Sequence, residues 1–331
     1  MPPLLCKKCR SALLLSTLIF SAQLGTPQET TFKTQSNVVS VPTMVRAQDG
    51  NPVYGLRTED FVIEDDGVPQ LVHLDDSAET EGLSFVIAIQ CGRRARREFD
   101  RMKGLASMLD PVLNEPNTEA ALVFFDSRLN LVREFNNDAD SIEADLKNLQ
   151  PGDGGAAIFD ALALSARLLE HRPPERRRVI LLISETRDQG SHFHKLDDVI
   201  RLIGNTNIAV YALTFSPYIS QQLDAMRGTN SDEWSPNVDI LEKLAAIRQS
   251  MRKNAPKSLT NMTGGEYATF TTRDAFETSL VAFANHLHSR YLLSFQPEDP
   301  HPGLHTLSVR LKKAGNQSVL FRHSYWVDSA Q

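Results

Sequence analysis

A chain of 331 residues, 41% apolar and 23% charged, has enough material to bury roughly three quarters of its unfolded surface without help from cross-links. Its formal charge of −6 argues against a generic binder of nucleic acid or anionic lipid, because such surfaces carry a basic excess. The three cysteines, Cys6, Cys9 and Cys91, are too few and too unevenly placed for a disulfide framework.

The first 25 residues read as a secretory signal peptide. Lys7, Lys8 and Arg10 precede the apolar run from Ala12 to Phe20, and Ser21-Ala22-Gln23 supplies small residues for cleavage near residue 23. The run falls short of the roughly 20 apolar residues that a spanning helix needs, and no other stretch approaches that length. Retention as an N-terminal anchor is the alternative. Cleavage would remove Cys6 and Cys9, leave Cys91 as the sole thiol, take the charge to about −9 and imply a secreted or periplasmic protein.

Residues 32–78 form a β-rich segment. Val38 to Val45 alternates like a strand, Asp49-Gly50 marks a turn, and the runs Phe61 to Glu64 and Gln70 to Leu74 bracket a second turn at Asp66-Gly67. From residue 82 the pattern changes. Leu83 to Gln90, Ala120 to Phe125, Val179 to Ser184 and Ile208 to Leu213 are short apolar runs without alternation, as in strands buried on both faces. Stretches of helical period separate most of them, including one through Phe99, Met102, Leu105 and Met108. The fold class this predicts is α/β, a doubly wound and mostly parallel sheet flanked by helices, over residues 82–290.

Within that region, Ser216 to Lys257 is an insertion. Ser235-Pro236 is a helix-start signal, and Ile240, Leu244, Ile247 and Met251 then recur on one helical face. The face serves either to pack the helix on the core or to make it a partner-binding lid. Three further strands follow in residues 291–327: Tyr291 to Phe295, His305 to Leu311 and Ser318 to Tyr325, with a turn at Gly315-Asn316. Three strands at either end bury little alone, so the two sets are expected to pair into one small β sandwich.

From Leu83 to about Arg290, the order and wording of these elements resemble the von Willebrand factor type A domain, of Rossmann-like fold. The phrases Met262-Thr263-Gly264-Gly265-Glu266, Ser289 to Phe295, Phe321 to Tyr325 and the entry segment Gly55-Leu56 with Glu59 to Gly67 narrow the resemblance to the "VWFA-related" type found largely in acidobacteria. The resemblance implies an adhesion or interaction module. It also implies a Mg²⁺ site, the metal-ion-dependent adhesion site (MIDAS), at the C-terminal ends of the strands, built from a D-x-S-x-S loop, a threonine and an aspartate.

Laid on this chain, those ligands fall on Gln90, Gly92, Arg94, Ala156 and Glu185. Only Glu185 keeps an acidic oxygen. A guanidinium at residue 94 would repel a bound cation by roughly 4 kcal/mol per unit charge at about 4 Å and an effective dielectric of about 20. The implied site is therefore degenerate and no cofactor is expected, unless Asp153 or Asp188 reaches in.

Two readings of the basic cluster stay open. Arg93 or Arg94 takes the metal's place and pairs with Glu185, offering donors to an acidic protein partner, with Asp188 nearby. Alternatively Arg93, Arg94, Arg96 and Arg97 are the solvated start of a helix. Cys91, beside these arginines, is either a reactive thiol or an inert filler. His192 with His194, and His286 with His288, lack an identifiable third ligand for zinc. Gly152-Asp153-Gly154-Gly155 imitates a phosphate loop but lacks the following lysine and hydroxyl. No catalytic residue is identified, and no G-x-S-x-G elbow is present. The expected function is a secreted, non-enzymatic protein-binding module. A metal-dependent adhesion domain and a scaffold with no specific site are the alternatives.

Overall fold

The structure, a computed structural model, describes residues 38–75, 82–93, 95–102, 104–173, 175–215, 240–287, 289–298, 301–313 and 315–328, with backbone alone at 96, 97, 240 and 241. The segment expected to be a signal peptide and Arg94 lie outside the described residues.

The chain opens with β1 (Val39–Arg46), β2 (Phe61–Asp65), β3 (Val68–Gln70) and β4 (His73–Asp75). The α/β part then runs β5 (Leu83–Gln90), α1 (Leu105–Leu113), β6 (Thr118–Phe125), β7 (Leu129–Asn136), α2 (Ala139–Lys147), α3 (Ile158–Glu170), β8 (Arg177–Ser184), α4 (Leu196–Asn205) and β9 (Ile208–Phe215). It ends with α5 (Ile240–Lys253), α6 (Ala255–Thr263), β10 (Tyr267–Phe270) and α7 (Arg273–Leu287). Four strands close the chain: β11 (Tyr291–Phe295), β12 (Gly303–Leu311), β13 (Ser318–Leu320) and β14 (Ser324–Val327).

The central sheet has the order β10-β9-β8-β5-β6-β7, parallel except for the edge strand β7. Every residue of β5 and β9 is buried, which is why these strands read as unbroken apolar runs. Phe85, Ile87 and Ile89 face a layer formed by α1, α2 and α7, while Val86 and Ala88 face α3, α4, α5 and α6. The strand order reverses direction around β5, so the C-terminal ends of β5, β6 and β8 frame the crevice where such sheets bind ligands.

The terminal strands do pair across the chain. One sheet has the order β13-β1-β11-β4 and the other β14-β12-β2-β3. Val39 lies opposite Phe295 and Phe61 opposite Leu311. Val41, Ile63, Leu293, Phe295, Val309 and Tyr325 share one buried core between the sheets. The β2–β3 hairpin turns through Asp66 (φ 48°) and Gly67 (φ 83°), the positive pair that a two-residue turn of matching twist requires.

Several expected elements are cut differently. The run Gln70 to Leu74 is divided between β3 and β4 in opposite sheets, with Leu71 exposed between them. Ser318 to Tyr325 likewise splits into β13 and β14. Between them Phe321 to His323 cross from sheet to sheet, held by the buried Arg322, which donates to the carbonyls of Ser324 (2.8 Å) and Gly204 (2.5 Å) and to Asn207 Oδ1 (3.1 Å). The helix expected through Phe99 to Met108 is a 3-10 turn at Ala95–Glu98 followed by α1, which starts only after Gly104 at φ 89°. The edge strands β7 and β10 have no counterpart in the sequence reading. One is mostly half-exposed and the other has four residues. Of the insertion, residues 216–239 lie outside the described residues. Ile247 and Met251 of α5 are buried in the core, as the packing reading expects.

Glu266, just before β10, joins the two parts of this architecture. Its carboxylate pairs with Arg46 from β1, with His286 of α7 at 2.9 Å and with Arg290 at 3.1 Å. Burial alone would raise its pKa, but the hydrogen bond from His286 and the charges of Arg290 and Arg46 outweigh it and hold the carboxyl below its ordinary value of 4.5. A carboxyl depressed in the folded state stabilises fully above its unfolded pKa and loses that contribution as pH falls through the folded one. Unfolding free energy, read by urea titration, should therefore fall as pH drops below about 4.5. Glu266→Gln should cost about 2–4 kcal/mol at pH 7 and flatten that decline, because Arg290 is left buried without its partner.

Candidate functional site

Of the residues singled out in the sequence, Gln90, Gly92, Ala156 and Glu185 meet at the C-terminal edge of the parallel sheet. Gln90 ends β5, Glu185 follows β8, Asp126 follows β6, and the loop Gly152 to Ala157 crosses over them before α3. Gln90 is fully buried. Its Oε1 accepts from the Glu185 N–H at 2.8 Å, and its Nε2 donates to the Gly155 carbonyl at 3.4 Å. The amide thus ties the ends of β5 and β8 to the crossing loop.

Backbone closes the rest of the edge. The Gly152 N–H donates to the Cys91 carbonyl at 2.6 Å, and the Arg93 N–H donates to the Asp153 carbonyl. Gly92 lies so close to the crossing loop that an added Cβ would stand 2.4 Å from the Gly155 carbonyl oxygen. The position that the resemblance assigns to a serine therefore has no room for any side chain. Ala156 is buried in an antiparallel bridge with Gln189, two N–H···O bonds of 2.9 Å each, so its methyl stands where a hydroxyl would be needed.

The acidic residues that were expected to reach in are used within the loops. Asp153 accepts from the N–H groups of Ser127 (3.1 Å) and Gly155 (2.8 Å) and from the Ser127 hydroxyl. These bonds, the Ser127 hydroxyl foremost, lower its pKa. Asp188 Oδ1 accepts from Phe159 N–H at 3.1 Å and from the Ser191 hydroxyl at 2.5 Å. Glu185 is buried, Arg93 is exposed, and the pairing expected of Arg94 falls outside the described residues.

This donor set does not fit a magnesium ion of the type A kind. Such an ion needs near-octahedral oxygen donors. Gln90 has its amide engaged at both ends, Gly92 and Ala156 supply no side-chain oxygen, and the space at Gly92 is taken by backbone.

Cys91 is buried rather than activated. Burial, with the charges of Asp126 and Asp153 added, pushes its thiol up to about 11, which suits the inert-filler reading of Cys91 and not the reactive one. His192 and His194 lie in the loop before α4 and not at a helix start. Their N–H groups, with that of Phe193, converge on the buried Asp160, and His194 Nδ1 is 3.0 Å from Asp160 Oδ1. Burial would raise the Asp160 pKa, but these donors outweigh it and bring it below the ordinary carboxylate value. His286 belongs to the Glu266 cluster, and His288 is outside the described residues.

Three contributors went unseen in the sequence. Asp126 holds the crossing loop by accepting from Asp153 N–H (2.9 Å) and from Arg128 N–H (2.7 Å). Ser127 holds Asp153, and Asp160 anchors the loop ahead of α4. The available signal was position: Asp126-Ser127 stands directly after a buried strand, where loops of such sheets carry function. A cavity of about 490 Å³ opens beside this edge, lined by Cys91, Asp126, Arg128 and Asp145 among others.

The family model for the von Willebrand factor type A domain matches residues 87–190, which span β5 to the loop after β8. No curated protein matches the chain. Among solved structures, the chain is similar to the conserved hypothetical protein BatB from Bacteroides thetaiotaomicron (14% identity, 62% of this chain and 98% of that one, TM-score 0.41). It is also similar to the PilB minor pilin from Streptococcus sanguinis (13% identity, 63% and 61%, TM-score 0.40). A third is proximal thread matrix protein 1 from the mussel byssus (12% identity, 67% and 49%, TM-score 0.44). Residues 87–190 match the type A family model, within a mixed α/β fold of the Rossmann-like class with added antiparallel sheets.

With its thiol pushed up to about 11, Cys91 should alkylate slowly in the folded protein. Iodoacetamide labelling at pH 7.5, read at the Cys91 peptide by mass spectrometry, should be roughly a hundredfold slower in native protein than in urea-unfolded protein. Equal rates would restore the reactive-thiol reading.

Proposed function

We propose that this chain is a secreted, non-enzymatic module that binds another protein through the C-terminal edge of its type A sheet, without a metal ion. The edge is marked by Gln90, Gly92, Arg94, Ala156 and Glu185, and Arg93 and Arg94 offer the partner guanidinium donors backed by Glu185 and Asp188. A planar, permanently charged fork suits capture of a carboxylate on the partner, the role a metal would otherwise fill.

The observation that carries this reading is the closed edge. Gln90 bonds both neighbouring loops, and Gly92 abuts the Gly155 carbonyl. The loops are therefore held in shape by protein groups where an ion would otherwise hold them. Arg93 remains exposed above them. No helix among the described residues is long and apolar enough to cross a membrane, and the N-terminal signal would deliver the chain outside the cytoplasm.

The test is site-specific photo-cross-linking from residue 93, with residue 310 on the sandwich as a control, in the producing cell's envelope and medium. A defined adduct from residue 93 alone, unchanged by EDTA and lost in Glu185→Ala, is the expected result. Loss of the adduct in EDTA would favour metal-dependent adhesion. Equal labelling from both positions would favour a scaffold without a specific site. Mg²⁺ titrated into the protein should give no binding heat and no change in melting temperature.

A further inference from the structure

A second cluster of chemistry-bearing groups lies in the sandwich, away from the type A edge. Asp66 at the β2–β3 turn, His301 before β12 and His305 within β12 bring one ligand atom each within 4.8 Å of one another. His305 Nδ1 is 3.3 Å and His301 Nε2 is 3.5 Å from Asp66 Oδ2. Asp65 adds a fourth donor, its Oδ1 being 3.2 Å from His305 Nδ1. Ligands at about 2.0–2.1 Å around a tetrahedral zinc are separated by roughly 3.3–3.4 Å, which the His305–Asp66, His301–Asp66 and His305–Asp65 distances approach.

The surroundings prepare the donors. His305 Nε2 lies 2.7 Å from the His301 carbonyl oxygen, which can only accept, so the proton sits on Nε2 and a neutral ring has its Nδ1 lone pair facing two carboxylates. A lone pair against two anions is repulsive unless a cation stands between them. Asp66 Oδ2 is buried and accepts no hydrogen bond among the described residues, whereas Oδ1 of the same carboxylate is saturated by Lys243 Nζ (2.8 Å), Thr306 N–H (3.1 Å) and Thr306 Oγ1 (2.7 Å). Tyr325 donates to Asp65 Oδ2 at 2.7 Å, leaving Oδ1 for the cluster. Backbone and side-chain partners of this kind orient metal ligands in the surrounding shell.

We propose that Asp66, His301 and His305, with Asp65 as fourth donor, form a binding site for a divalent ion of the zinc class. Imidazole and carboxylate donors in a small tetrahedral set suit zinc, and two nitrogens disfavour magnesium or calcium. His305 is fixed by burial and by stacking between His301 and Tyr325, at centroid distances of 4.0 and 4.6 Å. His301 is half-exposed and places its Nε2 3.5 Å from Asp66 Oδ2. The ion would join the start of β12 to the β2–β3 turn, both in one sheet of the sandwich. The competing occupant is a proton on Nδ1. Burial lowers the imidazole pKa, but the Asp65 hydrogen bond and both carboxylate charges outweigh it and raise it above the ordinary value.

Calorimetric titration of the full untagged chain with ZnCl₂ at pH 7.5, beside thermal melts with and without the ion, separates the two. One equivalent bound at micromolar affinity or tighter, with a raised melting temperature, is expected. His301→Ala and Asp66→Asn should each weaken binding at least roughly tenfold, as loss of a ligand or its partner does. His301 is half-exposed, so its substitution leaves the core intact, and Co²⁺ should give the intense visible absorption of a tetrahedral site in wild type only. No heat of binding would leave the proton as occupant and overturn the site. Equal binding by wild type and both variants would place the ion elsewhere, at Cys6 and Cys9 or at His192 and His194, and would overturn it as well.

Discussion

The carboxylate of Glu266 is the contact on which the arrangement of the two parts of this protein depends. It sits at the start of the last parallel strand and is shared by a guanidinium from the first sandwich strand, an imidazole from the last helix and the arginine that leads into β11. A buried carboxylate is costly unless fully paired, so β1 is obliged to meet the stretch from Glu266 to Arg290, 220 residues further along the chain. The pairing of β1 with β11 follows the same path. The α/β part is thereby inserted between strands that complete each other, and its two ends are held in one sheet.

That anchoring leaves the opposite edge of the sheet as the place where loops meet. The structure explains why residues that break the expected ligand pattern do not break the fold. Gln90 ties the two neighbouring loops by two hydrogen bonds, and Gly92 lets two backbones touch where a side chain would have kept them apart. Asp126, Asp153 and Asp160 accept loop N–H groups that would otherwise be buried without partners. The acidic character of the edge is thus spent on holding its own loops. The sandwich shows the reverse, with Asp65, Asp66 and two histidines set so close that they call for a cation or a proton among them.

The buried parallel strands were legible because burial on both faces leaves only one composition, an apolar run, and β5, β6, β8 and β9 all have it. The edge strands β7 and β10 were not, since a strand with one free edge and partial exposure has no distinct pattern. Phe99 to Met108 keeps helical spacing across a break, because Gly104 at positive φ ends one turn and starts α1 without disturbing which residues are buried. The positions of Gln90, Gly92, Ala156 and Glu185 at one edge were readable from order along the chain. What holds them was not, because Ser127 and Asp126 act on a loop some 26 residues away.

By itself the sequence determined the class of the fold and the presence of β strands at both ends, since these depend on local composition and spacing. Only the tertiary structure decided which strands share a sheet, that Cys91 is shielded, that His192 and His194 serve Asp160, and that His301 and His305 face Asp65 and Asp66. Those facts rest on contacts between residues as much as 276 apart along the chain, as Met44 is from Leu320, and pairwise distance in space leaves no mark on local sequence.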